Sequence, residues 1–343
     1  MKLKYIIFIF LIAALKVEGQ NFVLSQPYTS AQFMSPASVG NGVYEQRVQA
    51  IMRNQLFNGN NLFRTYVVGW DKRIKNKNTE VEEELNQKDY LGIGAQIISD
   101  QLVGGLLQTN YVSINTAYHI ALSAENKSSL SLGLGGTFSQ TFLDESKLNL
   151  GSQLYGQLNG LGSSLSTYTF KKFPYTLSAN TGILYMRHDN EHFFQLSANA
   201  FLYSVPDVTE SVNSSASNMR IAGFMNLENI INEYSTYLLH ASYNFRLNNG
   251  ENDRQILLGA SFGFPLSYDY GTVKRLYVGG YYRYEDAFIP TLSFMMDKYN
   301  VGISYDIYSN NKTGATIKQN GFEISFSKSF GKKKGDLLKT LFD

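Results

Sequence analysis

Cysteine is absent, which removes any disulfide framework, thiolate metal site or acceptor for a lipid anchor. Proline occurs only six times and tryptophan once, at Trp70. Charged residues make up 17% of the chain, below the roughly 25% usual for soluble domains. The net charge of +2 carries no basic stripe of the kind that nucleic-acid binding requires, so nucleic acid is not expected as a partner. Apart from the N-terminus, no apolar run approaches the ~18 residues that a membrane-spanning helix needs.

What is abundant is glycine (29), tyrosine (24) and phenylalanine (23). Tyr and Phe suit a pleated, half-buried surface, and Gly lets another backbone come close to a strand. The N-terminus reads as an export signal. Lys2 and Lys4 precede an unbroken apolar run from Tyr5 to Leu15, and Val17-Glu18-Gly19 ends on a small residue. Residues 1–19 are therefore taken as a signal peptide, with Gln20 opening the mature chain. Eleven apolar residues are too few to cross ~30 Å of hydrocarbon.

From Val43 onward, period-2 alternation dominates. Leu130, Leu132 and Leu134 alternate with Ser131, Gly133 and Gly135. Val278, Tyr282 and Tyr284 oppose Tyr277, Tyr281 and Arg283. Val301, Ile303, Tyr305 and Ile307 oppose Gly302, Ser304, Asp306 and Tyr308. Phe322, Ile324, Phe326 and Phe330 oppose Glu323, Ser325, Ser327 and Ser329. One wall is apolar and the other small or polar. Thirteen strands are legible, near 43–54, 62–72, 89–100, 107–122, 129–142, 175–188, 192–204, 235–247, 254–267, 273–284, 287–297, 299–309 and 321–330. All exceed the ~5–6 residues of soluble strands and match tilted transmembrane strands. The fold class is all-β, a transmembrane antiparallel barrel of the outer membrane occupying 43–330. Barrels of this type have even strand numbers, so about fourteen are expected. The missing strand is placed at 148–159, and a short helix is read at 219–233 from Ile221, Phe224, Met225 and Leu227. Long connections are expected at 72–88, 144–174, 205–234 and 310–320. Residues 20–42 form an N-terminal extension, lumenal or periplasmic, and 331–343 a Lys-rich tail, read as solvated with a periplasmic docking peptide as the alternative.

Chemistry is sparse. His188 and His192 flank Asp189-Asn190, a turn between strands, and read as a solvated hairpin tip; His119 and His240 lie in strands. No His-Glu-x-x-His, P-loop or Gly-x-Ser-x-Gly pattern occurs. No catalytic residue, metal or cofactor is expected, and the chain is not read as an enzyme. Charges within strands are more telling. Arg53, Arg283, Asp306 and Glu323 lie on the polar side of alternating segments, and a lipid-facing Arg near the midplane costs ~2–4 kcal/mol. They are expected to face the lumen, bracing strands, holding a plug or touching a partner.

The order of motifs resembles the PorP/SprF family of type IX secretion system membrane proteins, found in Bacteroidota. Ser25-Gln26-Pro27-Tyr28 stands where the family has Phe-Ser-Gln-Tyr. Ser35-Pro36-Ala37-Ser38-Val39-Gly40 stands for Asn-Pro-Ala-Tyr-Ala-Gly, and Arg53-Asn54-Gln55-Leu56 for Arg-Asn-Gln-Trp. Gly279 to Arg283, Gly302 to Asp306 (including Tyr305) and Gly321 to Ile324 follow in the family's order. Ser35, Leu56 and the Lys-rich extension depart from its pattern and suggest a divergent paralogue. The resemblance implies an outer-membrane barrel that binds and anchors, or helps export, a cell-surface cargo through the cargo's C-terminal domain, in secretion or gliding motility. Implied partners are a secreted surface protein such as an adhesin, other type IX components or periplasmic lipoproteins, and outer-membrane lipid. A structural subunit of the core apparatus and a small-solute porin are the alternatives.

Overall fold

The computed structural model describes residues 24–57, 60–74, 89–123, 128–144, 175–204, 217–232, 235–247, 252–267, 274–308, 319–333 and 337–343. Alternating sequence becomes fourteen antiparallel strands. β1 to β5 are Tyr44–Phe57, Asn60–Ile74, Tyr90–Leu102, Leu107–Ala121 and Ser128–Leu143. β6 to β10 are Thr176–His188, His192–Ser204, Ser217–Ile230, Thr236–Leu247 and Asn252–Ser267. β11 to β14 are Lys274–Arg283, Ala287–Met296, Tyr299–Tyr308 and Gln319–Lys333. Each pairs with its sequence neighbours, and β1 pairs with β14, with Arg53 opposite Glu323, so the sheet closes on itself. Closure leaves no edge with unpaired backbone groups, which lipid would not tolerate.

All thirteen strands legible in the sequence are present. The fourteenth is β8, not 148–159, which lies outside the described residues. β8 replaces the short helix expected at 219–233. Ile221 and Met225 face outward and Ala222, Phe224, Asn226 and Glu228 are buried inward. Phe224 faces the lumen because it packs on Met34, Ala37 and Leu184. One apolar residue on the polar face gave Ile221, Phe224 and Met225 their helical spacing.

The two faces differ sharply in chemistry. Outward side chains are large and apolar: Ile114 is 70% exposed and Leu134 63%. So extensive an exposed apolar surface fits contact with lipid, not water. The inward face is polar, with Asn115, Ser131, Asn199, Asp306 and Glu323 buried. No helix among the described residues is long and apolar enough to cross a membrane.

Both ends of the strand series lie at one mouth of the barrel, called here the terminal mouth. The lumen holds residues 24–42 and 337–343. The N-terminal extension is thus lumenal. It comprises a 3-10 turn at Pro27–Thr29, one α-turn at Ala31–Met34 and a second 3-10 turn at Pro36–Ser38, with the Ser35 hydroxyl accepting from Ala37 N at 3.1 Å. The tail from Leu338 to Asp343 is also buried. The expectation of a solvated tail is therefore corrected for Leu338–Asp343, where Leu338, Leu341 and Phe342 carry enough apolar surface to seat it inside, while Gly331–Lys333, at the end of β14, are exposed.

Candidate functional site

The site begins with the four charges that alternation placed on the polar side. Arg53 and Arg283 share Asp306 Oδ2, at 2.8 and 2.9 Å, and Arg53 lies 3.6 Å from Glu323 Oε2. Asp286, in the turn after β11, takes the second Arg283 nitrogen at 2.8 Å. Strands β1, β11, β13 and β14 supply these residues, so the cluster straddles the closing seam. All four strand residues are at most 4% exposed. Burying such charges is costly unless each is paired and hydrogen-bonded.

The remaining hydrogen bonds come from the N-terminal segment. Glu323 accepts from two consecutive backbone amides, Ser25 N and Gln26 N, both at 2.7 Å. The Ser25 hydroxyl donates to Asp306 Oδ1 at 2.5 Å and accepts from Arg53 Nη1. The Gln26 amide donates to Ser304 Oγ and accepts from Ser325 Oγ, each at 3.1 Å. Ser25-Gln26 is thus the counterpart that completes the buried charge cluster.

Below this pin the segment descends toward the terminal mouth. Tyr28 stacks on Tyr281 with ring centroids 5.3 Å apart, and burial raises its phenol well above the ordinary value. Gln32 donates to Trp70 O at 2.8 Å, and Asn115 donates to Gln32 Oε1 at 3.2 Å. Ser35 bonds to Asn199, whose amide donates to Met34 O at 3.1 Å. Gly40 takes a positive φ of 74° and donates to Asp71, which Arg47 holds at 3.0 Å. The wall is cut away to admit this backbone. A Cβ on Gly92 would meet Val39 O at 2.1 Å, and one on Gly133 would meet Ala37 N at 2.2 Å.

The tail fills the terminal mouth beside it. His188 Nε2 donates to Leu338 O at 2.6 Å, and Leu338 N donates to Asp189 O at 2.9 Å. Arg275 donates to Lys339 O at 3.1 Å, Leu341 N donates to Glu228 Oε2 at 3.0 Å, and Arg47 donates to Phe342 O at 3.1 Å. Phe342 stacks on Phe193 at 5.3 Å. Burial pulls the Lys339 ammonium down to about 8. Burial opposes ionisation of Asp343, yet Lys339, His188 and the Thr340 hydrogen bonds hold its carboxyl below the ordinary range. Between the two terminal segments lies a cavity of about 10 Å³ touching Tyr28, Asn41, Arg47, Phe342 and Asp343, room for roughly one water.

The sequence-derived residues thus divide. Arg53, Arg283, Asp306, Glu323, Ser25 and Gln26 converge in one cluster, while Pro36, Ala37 and Gly40 shape the lower segment. Tyr305 is 41% exposed on the outer wall, and Asn54 falls by alternation on that same face, with Gln55 returning to the lumenal side. Sequence reading missed Arg47, Asp71 and Arg275, whose inward position in alternating strands was the available signal, and Glu228, which lay in the segment read as a helix. His188 is buried against the tail, not solvated as expected; His192 does lie exposed at the turn.

A closed barrel with an apolar outer wall and a polar, braced lumen is an integral outer-membrane β-barrel. A profile of the type IX secretion system membrane protein PorP/SprF matches residues 17–327, and the chain belongs to that family. No curated protein matches it. Similar solved structures include the Ralstonia pickettii toluene transporter TbuX, with 10% identity, TM-score 0.49 and coverage of 88% of this chain and 94% of that one. A Pseudomonas aeruginosa FadL homologue shows 10% identity, TM-score 0.47 and coverage of 88% and 94%. These likenesses are too distant to bear on what the chain binds.

Proposed function

We propose that this barrel binds one secreted surface protein through that protein's C-terminal domain and anchors it, or aids its export, at the outer membrane. The observation that carries this reading is the occupied lumen. Residues 24–42 are hydrogen-bonded through it to β1, β2, β3, β4, β7, β11, β13 and β14, and a wall that commits its charges to holding a plug supports a binding barrel over a solute channel. The surfaces left to a cargo are the rims. In outer-membrane barrels the longer connections face the exterior; three of the four longest here, 145–174, 205–216 and 309–318, join strand ends opposite the terminal mouth, which the same rule makes periplasmic. Loops on a rigid scaffold are where binding residues concentrate. Catalysis has no part in this reading, and residues 1–19 serve as the export signal.

Deleting the gene should strip one surface protein from the cells and leave general secretion intact. Unchanged surface composition would sink the proposal. In planar bilayers the purified barrel should conduct little; a large, stable conductance would favour the porin instead. Co-purification with many core secretion components, and no single cargo, would point to a structural subunit.

A further inference from the structure

The N-terminal segment is held through its side chains as well as its main chain, whereas the wall addresses the tail chiefly through the main chain. His188, Arg275 and Arg47 each donate to a tail carbonyl, at Leu338, Lys339 and Phe342, and Glu228 accepts the Leu341 amide. Tyr277 Oη donates to the other Glu228 oxygen at 2.5 Å and fixes that carboxylate. Groups that read a backbone do not depend on which side chains the backbone carries. Sequence enters through apolar seats, where Leu338, Leu341 and Phe342 pack among Tyr28, Phe193, Leu238 and Tyr277. It enters also at the last position, where Val43 N donates to Asp343 Oδ1 at 3.0 Å. Main-chain contacts for affinity, with alternate side-chain pockets for choice, are the elements of peptide recognition.

We propose that the terminal mouth is a peptide-binding site for an incoming protein segment with Leu-x-x-Leu-Phe-Asp spacing, and that residues 337–343 occupy it as a built-in competitor. The site is separate from cargo capture at the opposite rim and stands without it. Among the described residues the tail makes one backbone-to-backbone bond to the wall, Leu338 N to Asp189 O, and does not extend the β-ladder. Only 334–336 join it to β14, so its local concentration is high and its release leaves every strand paired. It is also imperfectly suited to its seat: among the described residues Lys339 Nζ is buried without a hydrogen-bond partner, 5.6 Å from the Tyr44 ring centroid. A ligand with an apolar residue there would lack that penalty. Tethering makes the tail strong by proximity, not by fit, and a better-fitting free segment displaces it.

The test uses the full-length barrel in detergent with a fluorescent peptide, Leu-Leu-Lys-Thr-Leu-Phe-Asp, followed by anisotropy. The native chain should take up little peptide. A Leu341→Ala/Phe342→Ala chain, its own tail loosened, should bind at least tenfold more tightly, and adding Arg47→Ala should abolish that gain. A peptide carrying the same two alanines should bind neither chain. A loosened chain that still shows the folded, heat-modifiable band and takes up no peptide overturns the proposal, as does equal binding to the native chain. Should the loosened chain fail to fold, a protease site inserted after Lys333 of the native chain supplies the second measurement. The nicked barrel should exchange its fragment for labelled peptide, and more readily for the Lys339→Met peptide; retention of the fragment against a thousand-fold excess of either overturns the idea.

Discussion

The two ends of the chain lie side by side in one lumen but are held differently, the first through polar side chains and main chain together, the second through main chain and apolar anchors. The N-terminal segment is fastened by ionised side chains at the seam where β1 meets β14, with Ser25 and Gln26 completing the coordination of Arg53, Asp306 and Glu323. Remove it, and buried charges lose partners. The C-terminal segment is fastened by contacts to its backbone and by three apolar anchors. Remove it, and the cluster of Arg53, Asp306 and Glu323 keeps its partners, while Arg47, Arg275 and Glu228 lose only bonds that any main chain in the seat can supply. The first segment is part of how the barrel closes; the second behaves as a resident of the site it fills.

That contrast breaks most directly at the seam. Asp306→Ala takes the shared carboxylate from two buried guanidiniums, leaving Arg53 only the carboxylate of Glu323 and Arg283 only that of Asp286, and losing one partner of a buried pair costs about 3–5 kcal/mol. The urea midpoint of the folded band should fall accordingly; a loss below about 1 kcal/mol would mean the cluster is hydrated and the N-terminal segment is no brace. Gly92→Val comes next. Its side chain would collide with Val39 O, and overpacking of this kind costs about 1–3 kcal/mol. The segment should become open to protease between residues 24 and 42 while the strands stay protected. Unchanged cleavage would show that the wall, not the plug, yields.

Legibility in the sequence followed the same division. Strands with one apolar and one polar face, such as β5, β13 and β14, were readable in place because lipid and lumen impose opposite chemistry on alternate residues. β8 was hidden because Phe224 serves the plug and breaks the alternation. The charges Arg53, Arg283, Asp306 and Glu323 were readable as lumenal, since lipid excludes them. That they meet in one cluster was not, because β1 and β14 are adjacent only through closure. Ser25 and Gln26 stood out through family resemblance alone; nothing in their type announces that their amides cap a carboxylate. The tail was misread because three lysines precede it, and no periodicity in seven residues reveals a seat built from β1, β6, β8 and β11.

Phe342→Ala sharpens the comparison from the other side. A buried Phe→Ala change costs about 3–5 kcal/mol where the side chain is part of a cooperative core. If the tail is a resident and not a brace, the barrel's urea midpoint should shift by less than about 1 kcal/mol. Protease should meanwhile remove residues beyond Lys333 much faster than in the native chain. A midpoint shift as large as that of Asp306→Ala would erase the distinction between the two ends.

The smallest effect concerns Lys339. Its ammonium titrates near 8 when seated against 10.5 for a free side chain, so between those values the seated tail binds fewer protons than the released one. Raising the pH through that window should therefore tighten the tail, by roughly tenfold for each unit of difference expressed. Below pH 8 both states are charged and the penalty is constant. Asp343 and Glu228 face this ammonium, as do Arg47 and Asp297; Asp343 is held below the ordinary carboxylate range and stays ionised throughout. Hydrogen exchange at the Leu338 and Leu341 amides reads the seated fraction once the intrinsic pH dependence of exchange is divided out. Lys339→Met should slow exchange at pH 7.5 and abolish the tightening. If the methionine chain still tightened between pH 8 and 10.5, the linkage would belong to another group, and the misfit at Lys339 would not be what keeps the tail replaceable.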